Sequence, residues 1–173
     1  YFPRIVLPLS LANATFFTWM LETAVLVVAL SLLGAFVLPW LPLLALFMIL
    51  FGLFSVGLAM IFSIINVYFR DLSYLLTIVL QFWFYLTPIL YPVSLVEVQS
   101  AKLGDLGPTS LTLLDFYKLN PIEGFVEIFR NLLYDNRSPD IETVFFAIVW
   151  TVIAVSIGAI MYWRKEKMLA ELL

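Results

Sequence analysis

The sequence predicts an all-α membrane protein with four transmembrane helices and one short amphipathic helix on the outer side. Three observations predict it. Hydrophobic residues make up 64% of the chain and charged residues only 12%, whereas soluble domains contain about 25% charged residues. The mean hydropathy is +1.07. Four apolar stretches are each long enough to cross roughly 30 Å of hydrocarbon as a helix.

The predicted spans follow one another along the chain. They cover residues 10–38, 43–65, 72–92 and 141–163. Pro39 and Pro42 form a tight turn between the first two spans, and Trp40 within it suits the headgroup region of a bilayer. No internal repeat is visible, so the chain is expected to form a single transmembrane domain over residues 1–173.

The distribution of basic residues predicts the orientation of these spans. If four spans alternate, one side of the membrane carries Arg4, Arg70, Arg164, Lys165 and Lys167. The positive-inside rule then places both ends of the chain in the cytosol. Residues 1–9 form a cytosolic loop and residues 164–173 a cytosolic tail, whereas residues 93–140 form an external loop.

A fifth helix, over residues 121–134, is expected inside that external loop. Asn120 is a good N-cap, Pro121 suits the first helical position, and Glu123 can reach back to the cap. Its apolar residues are Ile122, Phe125, Val126, Phe129, Leu132 and Leu133, with Glu123, Glu127, Arg130 and Asn131 on the opposite face. The helix is too short to span, so it either lies in the outer membrane interface or packs as a lid on neighbouring helices.

The third span carries a polar stripe. At roughly 100° per residue, an arc of about 80° holds Tyr74, Thr77, Gln81, Tyr85 and Pro88. Buried phenols and amides need hydrogen-bond partners from another helix, from water or from a polar ligand. Periodicity alone slightly favours contacts between helices over the lining of a conduit. An aromatic and amide face also suits sugars.

Glu22 is the only carboxylate well inside a predicted span. An ionisable residue at that depth is a functional hypothesis by default. Glu22 is a coupling or substrate residue, a proton site, or half of a structural ion pair with a residue outside this chain. We favour the structural pair.

The two ends of the third span carry signals of their own. Asp71 is at an N-cap position, where its charge favours the positive end of the following helix, and Arg70 beside it serves topology. Together they form a turn that a cytosolic partner can contact. Pro88 and Pro92, four residues apart, should bend or end the span and free backbone carbonyls.

The residues that are absent exclude several classes of protein. The sequence has no Cys and no His, which removes disulfides, thiolate nucleophiles and the commonest metal ligands. It contains no GxxxxGK[ST] phosphate loop, no HExxH, no GxSxG and no acidic cluster suited to a metal. Catalysis is therefore unsupported, and ATP-driven work requires another subunit. A net charge of −3 gives no indication of nucleic-acid binding.

Several segments together resemble one family. They are Phe2-Pro3-Arg4, the run NVYFRDL at residues 66–72, the run TPILYP at residues 87–92, Leu119-Asn120-Pro121 and Phe129-Arg130. In this order they resemble the ABC-2 type permeases that export lipid-linked polysaccharides of the cell envelope, such as the O-antigen of lipopolysaccharide, teichoic acid and wall galactan. The resemblance is specific for the family and not for the exported glycan.

The resemblance implies a larger assembly. Members have six spans after an amphipathic N-terminal interface helix and form homodimers with two copies of a separate ABC ATPase, which binds ATP and Mg. It therefore implies an N-terminally truncated chain whose spans are the third to sixth, in the bacterial plasma membrane. The chain itself would bind no cofactor, and its partners would be the ATPase, the lipid-linked polysaccharide and membrane lipid.

The resemblance also implies roles for individual residues. The ATPase would contact Phe2, Pro3, Arg4, Arg70 and Asp71. An external gate would include Pro88, Tyr91, Pro92, Asn120, Pro121, Glu123, Phe129 and Arg130. The substrate path would include Tyr74, Thr77, Gln81, Tyr85 and Glu22, so that the lining of a conduit becomes the preferred interpretation of the stripe.

Residues 98–117 form a longer segment than the linker typical of many members, which leaves the geometry of the outer gate open. Two alternatives to polysaccharide export also remain. One is an ABC-2 exporter of drugs or lipids. The other is a proton-coupled secondary transporter that uses Glu22.

Overall fold

In the computed structural model, residues 6–69, 71–89, 91, 93–103 and 112–169 are described. These residues form seven α-helices and a short 3-10 turn at Leu38–Trp40, with no strand in this part of the chain. The helices are α1 (Val6–Leu32), α2 (Leu41–Tyr68), α3 (Leu72–Leu86), α4 (Val93–Leu103), α5 (Leu113–Lys118), α6 (Pro121–Leu133) and α7 (Ile141–Leu169). The predicted all-α class is confirmed.

Among the described residues, three segments are helical, long and apolar enough to cross a membrane: Ser10–Leu32, Leu38–Tyr68 and Ile141–Arg164. The third predicted span is helical only over the 15 residues of α3, or about 22 Å at 1.5 Å per residue. It is shorter than the predicted 72–92 because Thr87 adopts an extended conformation (ψ 133°), as the residue before a proline usually does.

The first span also ends earlier than its apolar sequence suggests. Gly34 has φ +91°, and the backbone N–H of Ala35 donates to the carbonyl of Leu30 at 3.0 Å while that of Gly34 donates to Ser31 at 3.1 Å. This pair of bonds is a Schellman motif, which closes a helix. Helix α1 therefore ends at Leu32 although the sequence stays apolar up to residue 38.

Helices α2 and α7 form the closest pair in the fold. A Cβ built on Gly57 would lie 2.6 Å from the carbonyl carbon of Ala154, and one on Gly158 would lie 2.7 Å from the carbonyl oxygen of Gly57. Only glycine permits this approach, as in other membrane helix pairs with small residues at the crossing. The two helices form the support on which α6 packs.

Helix α6 packs inside the bundle, so of the two placements left open for it, the structure has the lid on neighbouring helices. Phe125, Ile128 and Leu132 are at most 1% exposed. The ring of Phe125 lies 4.9 Å from that of Phe51, a residue roughly 15 Å along the axis of α2 from its first residue. Helix α6 therefore contacts α2 well inside that helix and not only near its first residue.

The predicted polar face of α6 is wrong in two positions. Glu123 is 5% exposed and Asn131 is 1% exposed, because other elements cover the helix on more than one side. Glu123 does not reach back to cap the helix either. The backbone N–H of Asn120 donates instead to the carbonyl of Tyr117 at 3.0 Å.

Candidate functional site

Helix α3 has one side against the protein and one side free. Its less exposed residues include Leu72, Leu76 and Trp83, which fall within about 40° of one another on a helix. The stripe Tyr74–Thr77–Gln81–Tyr85 is centred on the opposite side, roughly 160° away. The polar stripe therefore faces away from the rest of the described chain.

All four stripe residues are exposed. Tyr74 is 75% and Tyr85 60% exposed, and the hydroxyl of Thr77 bonds only to the carbonyl of Ser73 in its own helix, at 3.0 Å. Contacts between helices within the described chain therefore do not account for the stripe. Pro88, which a continuous helix would have placed on the stripe, is instead buried at the end of α3.

The loop after α3 is tied to the start of α6 through the side chain of Asn120. Its Oδ1 accepts from the backbone N–H of Ile122 at 3.1 Å, as an N-cap, and from the indole Nε1 of Trp83 at 2.8 Å. Its Nδ2 donates to Oγ1 of Thr87 at 2.9 Å. One side chain thus joins two segments more than thirty residues apart in sequence, and we call these three bonds the Asn120 network.

A second hydrogen bond between α6 and the segment after α3 lies beside the Asn120 network. Arg130 Nη2 donates to the backbone carbonyl of Pro88 at 2.8 Å, so the arginine of α6 satisfies a carbonyl near the end of α3. This is the partner that a proline-terminated helix was expected to need. Arg130 and Asn120 together fix α6 against the irregular segment that follows α3.

Tyr91 adds two further hydrogen bonds in this region. Its hydroxyl donates to the carbonyl of Tyr85 at 3.1 Å and shares a hydrogen bond of 3.0 Å with the hydroxyl of Tyr117. Burial and the hydrogen bond with Tyr117 raise the pKa of the Tyr91 phenol to about 12. Five of the predicted external-gate residues therefore lie in one bonded region: Pro88, Tyr91, Asn120, Pro121 and Arg130.

Sequence reasoning missed three members of that region. Trp83 and Tyr117 were assigned no role, and Thr87 entered only as part of a family motif. Thr87 is 1% exposed, and its hydroxyl both donates to the carbonyl of Trp83 and accepts from Asn120. The one available signal was the indole of Trp83, a hydrogen-bond donor that needs a partner wherever it is buried.

The other predicted site residues lie elsewhere. Phe129 packs in the aromatic core, 5.5 Å from the ring of Trp19. Glu22 is exposed on α1. Asp71 occupies the N-cap position of α3 but makes no side-chain cap bond. Outside the described residues lie Phe2, Pro3, Arg4, Arg70 and Pro92.

Glu123 lies apart from the Asn120 network although it is in the first turn of α6. Burial, followed by the charge of Glu127, raises the pKa of its carboxyl from the ordinary 4.5 to about 7. Among the described residues no cluster of three or more Asp, Glu, His or Cys is arranged to hold a metal ion. Glu123, which was predicted as an external-gate residue, makes no hydrogen bond to the residues of the Asn120 network among the described residues.

This geometry can transmit movement. The last turn of α3 and the first turn of α6 are bonded to one another by side chains that are largely buried, so a displacement of α3 at this end must either carry α6 with it or break these bonds. Buried hydrogen bonds are costly to leave unmade, about 1–3 kcal/mol for each unsatisfied group. Helix α3 thus carries both the polar stripe and part of the Asn120 network.

Three relatives are similar to this chain. An O-antigen export system permease protein RfbA from Myxococcus xanthus is 33% identical over 115 residues, which are 66% of this chain and 40% of the relative. Two proteins of the same name from Klebsiella pneumoniae are each 29% identical. One match covers 97% of this chain and 61% of the relative, and the other covers 68% and 46%.

The chain thus spans between 40% and 61% of the length of the relatives it matches. No family model matches it, and no solved structure matches it significantly. The motifs around Asp71, Pro88, Asn120 and Arg130 and the similarity to three permeases agree with each other. This agreement confirms the predicted resemblance to the ABC-2 type permeases of polysaccharide export.

Proposed function

We propose that this chain is part of the membrane-spanning permease subunit of an ABC exporter, which moves a lipid-linked polysaccharide from the cytosolic to the outer side of a bacterial plasma membrane. The names of the relatives support export of a polysaccharide, and the three long apolar helices support a multi-pass membrane protein. The role is transport and not catalysis.

The observation that carries the proposal is the polar stripe on the free side of α3. Two phenols, an amide and a hydroxyl along an apolar helix have no reason to face lipid, since burying polar groups without partners in hydrocarbon costs several kcal/mol by rough estimate. A glycan supplies hydroxyl groups for Gln81 and Thr77. It also supplies C–H faces for the rings of Tyr74 and Tyr85.

The energy for export would come from a separate ATPase subunit that binds ATP and Mg. In the proposed assembly, two copies of the permease pair with two copies of the ATPase, and the ATPase presses on the cytosolic segments around Phe2, Pro3, Arg4, Arg70 and Asp71. Closure of the ATPase would then reshape the interface between the two permeases. The Asn120 network would pass movement of α3 to the outer side.

The experiment uses the full-length permease, produced with its ATPase in a bacterium that lacks its own copy. The double variant Gln81→Leu/Tyr85→Ala should reduce polysaccharide at the cell surface by about tenfold or more, while the ATPase still purifies with the permease in stoichiometric amounts. The matched control is Phe82→Ala. Phe82 is 68% exposed on the same helix but lies outside the stripe.

Three outcomes would contradict parts of the proposal. If the double variant loses the ATPase or its second copy, the stripe is a contact between subunits. If Phe82→Ala reduces export equally, α3 lines no specific path. If the wild-type permease purifies without an ATPase and its transport collapses with the proton gradient alone, secondary transport through Glu22 replaces the ABC mechanism.

A further inference from the structure

An acidic pocket lies between the start of α6 and the start of α7, apart from the stripe but bordered at one side by Asn120 and Pro121. Its volume is about 160 Å³, and its lining includes the carboxylates of Glu123, Glu127, Asp140 and Glu142. Lys118 is the one cationic residue among those that line it. The pocket therefore carries an excess of negative charge.

Glu123 is the most unusual residue of the acidic pocket. It is 5% exposed, and no described residue gives its carboxylate a hydrogen bond or an ion pair. The one ion pair found among the described side chains, Arg137 with Asp135 at 3.7 Å, is elsewhere. A buried carboxylate without a partner is costly in free energy. Binding of a hydrogen-bond donor from outside the described chain would remove that cost.

The other residues that line the acidic pocket restrict which hydrogen-bond donor can bind to Glu123. Trp150 and Phe146 supply aromatic surface, which attracts cations through the ring face. The hydroxyl of Thr143 donates to Glu127 Oε2 at a long 3.4 Å, so Glu127 keeps most of its capacity to accept. Because the carboxylates do not form a metal-binding cluster, an organic cation fits better than a metal ion.

We propose that the acidic pocket binds a primary ammonium group, with Glu123 as its buried carboxylate partner and Glu127, Asp140 and Glu142 as further acceptors. An ammonium group has three N–H donors on a compact charge, which suits several carboxylates around a cavity of this size. At the end of a transmembrane helix the group is available from a phosphatidylethanolamine headgroup or from a free amine.

Protonation of Glu123 should compete with the ligand. Its raised pKa of about 7 means that the neutral carboxyl and the carboxylate coexist near neutral pH. The charged groups that face it are Lys118 ahead of α6, Glu127 and Arg130 on α6, and Asp140 and Glu142 at the start of α7. An ammonium ligand adds a positive charge beside Glu123, so affinity should rise as the pH increases from 6 to 8.

The first test titrates ethanolamine against the full-length permease in detergent at pH 8 and constant ionic strength, with isothermal titration calorimetry as the readout. We expect saturable binding that Glu123→Gln weakens by about tenfold or more, the loss expected for one charge-assisted hydrogen bond. Glu142→Gln, at an exposed lining position, provides a second variant. Asp135→Asn, outside the pocket, is the control and should bind as the wild type does.

Choline separates an ammonium site from a general cation site, because it carries the charge without N–H donors. It should bind at least about tenfold more weakly than ethanolamine. Equal binding of choline, unchanged binding by Glu123→Gln or no saturable binding by the wild type would each overturn the proposal. This result does not depend on export, so it can fail while the proposed function stands.

Lipid discs separate the two sources of the ammonium group. If discs that contain phosphatidylethanolamine reduce ethanolamine binding relative to discs of phosphatidylcholine alone, the lipid headgroup occupies the site. If ethanolamine binds equally in both discs, a free amine is the ligand.

Discussion

Helices α3 and α6 reverse the usual relation between polarity and burial. α3 is the more apolar of the two, yet none of its described residues is buried. α6 carries Glu123, Arg130 and Asn131, and it contains six buried residues. In a bilayer, lipid accepts apolar side chains readily, whereas polar groups need partners inside the protein. The difference in burial between the two helices therefore does not follow how apolar each helix is.

The polar groups of the two helices also differ in their hydrogen-bond partners. At the N-cap and in the last turn of α6, Asn120 and Arg130 bond across elements, to Thr87 and to the carbonyl of Pro88. Along the free side of α3 they bond within their own helix or to nothing in the described chain. The first set holds the fold together, and the second is available to a ligand or to another subunit.

The largest expected effect tests burial directly. Phe125→Ala should lower the free energy of unfolding by about 3–5 kcal/mol, because it opens a cavity under α6. Phe82→Ala makes the same substitution on α3. It should lower the free energy of unfolding by less than about 1 kcal/mol, since Phe82 is exposed. Chemical unfolding of the full-length protein in detergent measures both. Similar losses for the two variants would remove the contrast between the helices.

The Asn120 network should give the next largest effect. Asn120→Ala removes an N-cap, worth about 1 kcal/mol, and leaves the half-buried indole N–H of Trp83 without its partner, at about 1–3 kcal/mol. We expect a total loss of about 2–4 kcal/mol in the same unfolding measurement.

A matched pair of threonines refines this prediction. Thr87 and Thr77 both bond a carbonyl four residues earlier, but only Thr87 accepts from Asn120. Thr87→Val should therefore be destabilising by about 1–2 kcal/mol, and Thr77→Val should be nearly neutral. Equal effects would mean that the bond to Asn120 contributes little.

A smaller effect should appear as a pH dependence. Because the folded pKa of Glu123 is raised from 4.5 to about 7, the folded state holds more protons than the unfolded state between these values. Its contribution to stability is fully present below about pH 4.5 and is lost as the pH rises to about 7. Thermal unfolding of wild type and Glu123→Gln across this range should show a slope in the wild type that the variant lacks.

The smallest effect concerns the tyrosines. Tyr91→Phe removes two hydrogen bonds and should cost about 1 kcal/mol, whereas Tyr74→Phe on the free stripe should leave stability unchanged. Melting temperatures in detergent would compare them. A loss for Tyr74→Phe as large as that for Tyr91→Phe would show that the stripe also contributes to the folded state.

Local signals in the sequence predicted the long apolar helices and α6, but they missed α4 and α5 and several helix ends. Hydropathy predicts the long spans because apolar length is a property of a continuous segment. The end of α1 depends on a left-handed conformation at Gly34, which a hydropathy scan does not detect. The end of α3 was placed too late, at residue 92 instead of Leu86, although Pro88 was expected to bend or end the span.

Local sequence signals could not predict the contacts between segments that are distant in the sequence. Asn120 was predicted as an N-cap because its target is two residues away, but its bonds to Trp83 and Thr87 cross more than thirty residues. The burial of Glu123 was missed for a related reason. Amphipathic periodicity assumes that one face of a helix stays free, and the packing of α6 breaks that assumption.

The short length of α3 has a consequence for the lipid around it. A helix of about 22 Å beside hydrocarbon of about 30 Å creates a hydrophobic mismatch, which a bilayer relieves by thinning locally at a cost of fractions of a kcal/mol per Å. The membrane next to the polar stripe should therefore be thinner than elsewhere. A hydrophilic chain that crosses there meets a narrower barrier before any part of the protein moves.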